Sequence, residues 1–276
     1  MNQFIGYQAG TSWIHQLSGA SKFLFFLLTS IAAMLTYDTR LLLAIALLSL
    51  LGLALSRISW ASIRWVIYFA SFFAAMNLLM VYLFAPEYGV DIYGTRRLLW
   101  AGIGPYSVTQ EQLFYLANLF LKYVATLPLA LVFLLTTHPS QFAASLNQIG
   151  VPYRIAYAVS LTLRYIPDVQ EDFVIIRKSQ QARGLDLSTK QPLLARIRGN
   201  ALILFPLILT SLERIETISC AMELRRFGKE KRRTWYWSQP WTWQDYLLLV
   251  LALLTLILAF YLMWAQGSRF YNPWQA

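Results

Sequence analysis

The sequence predicts an all-α integral membrane protein with about five transmembrane helices and a cytoplasmic region of long amphipathic helices. Three observations carry that expectation. Hydrophobic residues make up 58% of the 276 and charged residues only 13%, more apolar surface than the core of a soluble domain of this size can hide, so much of it must face lipid. The apolar residues gather in long uncharged runs. The basic residues gather elsewhere, with 15 of the 23 lying between residues 138 and 240.

The runs fall at 23–37, 41–56, 65–85, 113–136 and 245–265. They are too long and continuous for barrel strands, and backbone groups cannot stay unpaired in hydrocarbon, so each is expected to be a helix. The first two are short against the ~20 residues a bilayer core asks for. They are expected to form a tight pair, joined at Tyr37-Asp38-Thr39-Arg40, that recruits flanking residues or thins the bilayer. Inside the spans, Lys122 is expected to snorkel to the outer interface. Asn77 and Asn118 are read as helix-to-helix hydrogen-bonding groups. Pro128 is read as a bend where a mobile partner contacts the span.

Orientation follows from the positive charges. Lys229, Lys231, Arg232 and Arg233 lie close to the last span and place Ala276 outside; alternation then places the amino terminus and the loop from Arg57 to Arg64 inside. The loop from Pro86 to Gln110 falls outside despite Arg96 and Arg97. This gives a membrane protein expected in three parts: 1–137 with four spans, 138–240 in the cytoplasm, and 241–276 with the last span and an external tail. The net charge of +10 does not indicate nucleic acid, because the aromatics sit in the apolar runs rather than among exposed basic residues. The lone Cys220 permits no internal disulfide, and the start MNQFIGYQAGTSW is no signal peptide.

Segment 138–240 reads as four amphipathic helices. The first follows Pro139, buries Phe142, Leu146 and Ile149, and stops at Gly150-Val151-Pro152. A second carries Ile155, Val159, Leu163 and Ile166 and ends at Pro167. A third opens on Asp168 as N-cap, carries Val169, Phe173 and Ile176, and ends at Gly184. The fourth runs from near Pro192 to about Arg226, with Pro206 expected to kink it. Its stretch Ala201 to Leu212 is very apolar, but it is short and flanked by Arg196, Arg198, Glu213 and Arg214, so it fits a helix lying at the membrane boundary.

The last two helices end alike, with Ala182-Arg183-Gly184 in one and Leu224-Arg225-Arg226 before Phe227-Gly228 in the other. One reading is C-capping, a cation complementing the helix end and glycine taking the left-handed conformation. The other is docking, because an arginine at an exposed helix tip can enter a groove and pair with carboxylates through its planar fork. Catalytic and cofactor constellations are thin. There is no G-x-x-x-x-G-K-[ST] loop, no H-E-x-x-H, and no paired-carboxylate or metal-ligand cluster. His15 and His138 are far apart, His138 reads as a helix-start residue, and Cys220 reads as packing.

Several stretches together resemble a known family. GTSWIHQLSGASKF, with Ser12, His15, Leu17 and Lys22, resembles the opening of the transmembrane (T) component of energy-coupling factor (ECF) transporters. The run from Thr136 to Asp172 followed by QQARGLD resembles the family's cytoplasmic core, and AMELRRFGKEKRRTWYW its second motif region. The resemblance implies coupling helices whose paired Ala-Arg-Gly-like ends dock on two ABC-type ATPases, and a small membrane-embedded S component that binds the substrate. It implies a subunit that is not itself an enzyme and holds no cofactor, ATP and Mg being bound by the ATPases. Vitamins, their precursors and cobalt or nickel ions are all open as substrates. The second motif departs from the family's small-Arg-Gly pattern, which leaves Arg225 and Arg226 both open as its anchor, with Arg225 favoured by alignment. A polytopic membrane enzyme acting on a phosphorylated or lipid substrate is the alternative; its acids, Asp168, Glu171, Asp172, Glu213 and Glu216, read better as caps and helix-face partners. A stand-alone secondary transporter would show inverted repeats and broken helices, which are not seen.

Overall fold

Each of the five apolar runs folds as one helix. In chain order the computed structural model contains α1 (Trp13–Gln16), α2 (Gly19–Leu35), α3 (Thr39–Leu55), α4 (Trp60–Phe84), α5 (Tyr88–Tyr93), β1 (Leu98–Trp100), β2 (Val108–Thr109), α6 (Gln110–Thr136), α7 (Pro139–Gln148), α8 (Tyr153–Ala182), α9 (Leu193–Leu224) and α10 (Trp243–Gln266). The structure describes residues 7–8, 10, 12–100, 106–185, 192–229 and 234–274; Lys190 and the cluster Lys231, Arg232 and Arg233 lie outside them. Among the described residues α4, α6 and α10 are long and apolar enough to cross a membrane, and α2 and α3 are shorter apolar helices. The protein is an all-α membrane protein, and the strands among the described residues form one small antiparallel pair. Two units are distinguished, Met1–Ser145 with Gln239–Ala276, and Leu146–Ser238.

In the first unit α2 packs chiefly along α10 and α3 along α6, so the expected tight pair of α2 and α3 is not formed. The reason lies in the small residues. Ala32, Ala33, Ala46, Ala125 and Ala259 are buried at the core, where small side chains let helix backbones approach closely. Asp38 caps α3 by accepting from the Arg40 amide at 2.9 Å, and its other oxygen accepts from Gln266 Nε2 at 2.7 Å. Pro128 inside α6 leaves the Val124 carbonyl without its helical donor; the Ser49 hydroxyl lies 3.4 Å from that oxygen.

Polar groups at the ends of these helices are paired. Asp245 is fully buried and accepts from the Ser18 amide, the Ser21 hydroxyl, and the amide and hydroxyl of Thr242. The Thr242 to Asp245 capping box thus also fastens α10 to the start of α2. Lys22 is buried and donates to the last-turn carbonyl of Thr136 in α6 at 2.9 Å, where a cation complements the helix dipole. Lys122 donates to Met34 O at 2.9 Å and sits 3.3 Å from the Tyr37 ring centroid, so its charge is met at the end of α2. Asn118 bridges helices as expected, accepting from Thr39 at 2.7 Å, whereas Asn77 is exposed on α4.

The loop after α4 is more structured than a connection. Glu111, fully buried, accepts the Arg97 amide with both oxygens and the Thr95 hydroxyl. Gln112 Oε1 accepts the Gly89 amide at 2.7 Å, and a Cβ on Gly89 would lie 2.7 Å from the Gln112 backbone. The arginines on this loop have local partners: Arg96 pairs with Glu87 at 2.8 Å, and Arg97 lies over the Trp274 ring.

Candidate functional site

The second unit is built on two long helices. α8 runs unbroken for 30 residues through Pro167, so the expected break between two helices at Pro167 and Asp168 is corrected. Pro167 is exposed, so its ring takes no space from a core, and the helix gives up only the one bond that its missing N–H would have made. α9 starts after Pro192 and runs through Pro206 for 32 residues, close to the expected limits. α7 ends at Gly150, with φ +104°, as its sequence indicates, but its buried face is Ala143, Ala144 and Ser145 rather than Phe142, Leu146 and Ile149, which are half-buried. α8 and α9 pack on each other. Arg214 donates to Asp172 at 2.6 Å and lies 5.7 Å from the Tyr165 ring centroid.

The two candidate motifs stand at the carboxyl ends of these helices and share one cap geometry. At the first, the Leu185 amide donates to Gln180 O at 3.1 Å and the Gly184 amide to Gln181 O at 3.0 Å, the paired bonds of a Schellman motif. Arg183 is the C-cap and Gly184 takes the left-handed position at φ +90°. At the second, the Phe227 amide donates to Met222 O at 2.9 Å and the Arg226 amide to Glu223 O at 2.9 Å. Arg225 is the C-cap, and the left-handed position is held by Arg226 at φ +52°. The caps therefore align Arg183 with Arg225 and Gly184 with Arg226. Gly228, expected as the capping glycine, is instead a further left-handed residue beyond the cap, at φ +83°. A non-glycine residue in this conformation costs roughly 1–2 kcal/mol.

Ala182, Arg183 and Gly184 are exposed, as are Leu224, Arg225 and Arg226, and Leu224 is 86% exposed. The surroundings differ. A Cβ on Gly184 would meet nothing within 4 Å. The second tip leans on the first turns of α8: Arg154 Nη2 donates to Gly228 O at 2.9 Å, and Phe227 packs on Tyr153 and Tyr157 with centroid separations of 5.6 and 4.7 Å. Trp235 packs on Tyr153 with tilted rings, centroids 5.4 Å apart, and donates to Asn147 Oδ1 at 3.1 Å. From Tyr157 to Arg183, α8 rises about 40 Å, so the two tips stand at opposite ends of this helix. Sequence reasoning missed this clamp; Tyr153 and Tyr157 at i, i+4 and the aromatic Phe227 directly after the arginines were its signal.

The other residues singled out have structural roles. His15 Nδ1 pairs with Ser12 Oγ at 2.6 Å and its Nε2 with Gln8 O at 3.0 Å, and Leu17 is buried. His138 Nδ1 accepts the Ser140 amide at 3.2 Å and so caps α7. Burial lowers the pKa of both rings, as desolvation disfavours their charged form. Cys220 is exposed rather than packed. Among the described residues no group of three or more His, Cys, Asp or Glu could hold a metal.

Known proteins of similar sequence bear on this arrangement. The family model CbiQ, described as cobalt transport protein, matches residues 10–236. The energy-coupling factor transporter transmembrane protein EcfT of Lactococcus lactis subsp. cremoris is 28% identical over 276 residues, covering 97% of this chain and 99% of its own. The proteins of the same name from Streptococcus thermophilus and Bacillus subtilis are 26% and 25% identical, each covering 93% of this chain and 96% of their own. With a family model matched over most of its length and relatives similar from end to end, the chain belongs to the CbiQ family.

Proposed function

We propose that this chain is the energy-coupling transmembrane subunit of an ECF-type ABC importer. The observation that carries the reading is the pair of exposed arginine-bearing Schellman ends, built alike on two long helices of one unit. Arg183 and Arg225 enter acidic grooves on two ABC-type ATPase subunits, where the guanidinium fork pairs with carboxylates. Those subunits bind and hydrolyse ATP with Mg; this chain does neither. α8 and α9 act as levers, passing closure of the ATPases to a small membrane-embedded S component that binds the substrate, a vitamin, a vitamin precursor or a transition-metal ion. The exposed apolar residues of α9, among them Phe205, Ile208, Leu212 and Ile215, suit a helix lying against membrane or membrane protein at the cytoplasmic boundary. In this reading the chain sits in the plasma membrane with its amino terminus and residues 138–240 in the cytoplasm and its carboxyl terminus outside.

The test is the variant Arg183→Glu, Arg225→Glu, Arg226→Glu, expressed with its partners. It should insert in the membrane and keep the S component while losing the ATPases and all uptake. Normal ATPase co-purification and uptake would make the tips capping devices only.

A further inference from the structure

We propose that residues 268–274, which follow α10, are a latch that binds one end of the membrane unit, the end bearing Tyr37, into a single body and stays shut through the transport cycle. Its place in that cycle rests on the coupling function proposed above; the latch itself does not.

Gly267 ends α10 in the left-handed conformation, at φ +64°, and turns the chain across the helix ends. A connection beyond a span is ordinarily solvated and mobile. Here Phe270, Tyr271, Asn272, Pro273 and Trp274 are all half-buried, and their holds go to different elements. At the turn between α2 and α3, the Tyr37 amide donates to Arg269 O at 2.8 Å, Tyr37 and Phe270 form a parallel bridge, and their ring centroids lie 4.7 Å apart. In α3, Arg40 donates to the Tyr271 hydroxyl, with its guanidinium 4.3 Å from that ring's centroid. In α5, the Tyr93 carbonyl accepts from Asn272 Nδ2 at 3.1 Å. Trp274 meets the rings of Tyr93 and of Phe114 in α6 edge to face, each at 5.4 Å.

These holds supply what the packing of α10 does not. α10 packs chiefly along α2, and α3 along α6. At the Lys22 end the two pairs are joined by side chains of the helices themselves: Asp245 fastens α10 to the start of α2, and Lys22 fastens α2 to α6. At the Tyr37 end, α10 reaches α5 and α6 through the segment that follows it. Opening the latch would expose two aromatic rings and leave the Tyr37 amide and the Tyr93 carbonyl to find new partners, several separate losses for one motion. A lock held by backbone bonds and rings together stays closed, and motion delivered to the unit then carries its Tyr37 end as one piece.

The experiment uses the full chain with Cys220→Ser, Tyr37→Cys and Phe270→Cys, compared reduced and oxidised by hydrogen exchange. Bridged neighbours stand about 4.8 Å apart, within reach of a disulfide. Reduced, the protein has lost both rings, and exchange at 89–94 should rise roughly tenfold. Oxidation should return it to the wild-type rate, while 18–22 and 242–245 stay unchanged in both forms. Trp274→Ala, which keeps the Tyr37 bridge, should raise exchange at 89–94 by a similar factor and gives a second variant should the cysteine pair fail to fold. No rise at 89–94 in either variant, or an equal rise at both ends of the unit, would overturn the proposal. In the complete importer, uptake by the oxidised pair should match or exceed that by the reduced pair; slower uptake on oxidation would mean that the latch opens in the cycle, and would also overturn it. The exchange comparison needs no partner, so it decides the latch whether or not the coupling reading stands.

Discussion

The two arginine tips share a cap and differ in everything around it. The first ends in glycine, and among the described residues a Cβ at its left-handed position would meet nothing within 4 Å. The second spends an arginine on the left-handed position and is held against the root of α8 by Arg154, Tyr153, Tyr157 and Phe227. In the coupling reading proposed above, the first tip would follow a partner through rotation, whereas the clamped second tip would pass force to the root of α8. The difference teaches that one motif, read twice in a sequence, can be held by different surroundings at its two places.

Breaking the clamp should have the largest local effect. Tyr157→Ala with Phe227→Ala removes two partly buried rings, and should cost the second tip about 2–3 kcal/mol. Hydrogen exchange should then rise at 224–229 and stay unchanged at 180–185; equal change at both ends would show that the tips are not separately held.

Next come the left-handed positions, which should respond with opposite sign. Gly184→Val places a β-branched residue at φ +90° and should loosen the last turn of α8 by roughly 1–2 kcal/mol. Arg226→Gly relieves a residue at φ +52° and should firm the end of α9 by about 1 kcal/mol. If function requires the Arg226 side chain, that firmer variant will still transport less. Exchange protection of the two final turns, measured beside uptake, gives both signs.

The smallest effect belongs to the pair between the helices. Arg214 and Asp172 are each about a third exposed, so Asp172→Asn should cost no more than ~1 kcal/mol and should shift neither tip. A larger loss in thermal denaturation of the chain would mean that this pair, rather than the clamp, fixes α8 on α9.

How far the sequence could be read follows the same physics. The spans were legible because an uncharged run in hydrocarbon has one way to satisfy its backbone, and all five lie within a few residues of their helices. The proline rule failed at Pro167, where an exposed face made the missing bond cheap, and held at Pro139 and Pro192, which open helices. Asp245 and Glu111 passed unnoticed because an acid beside a span reads as an interface residue; only the fold brings Ser18 and Ser21 to one and the Arg97 amide to the other. That Arg183 and Arg225 stand at helix ends was legible from the sequence, although at the second end the left-handed position falls on Arg226 and not on Gly228. The clamp was harder to read: Tyr153 and Tyr157 show an aromatic face and Phe227 an aromatic end, but more than seventy residues separate them and only the fold pairs the two.

The claim on which the coupling reading stands is that Arg183 meets a carboxylate on its partner. The direct measurement is the affinity of the detergent-solubilised chain for its ATPase subunits, with Arg183→Ala and Arg183→Glu compared at low and high salt. The account predicts a loss of ~2–5 kcal/mol for the reversed charge, clearly more than for alanine, because reversal sets two acids face to face, and a gap that narrows as salt rises. Alanine and glutamate variants that bind equally, within the ~1 kcal/mol expected of a helix cap, would contradict it.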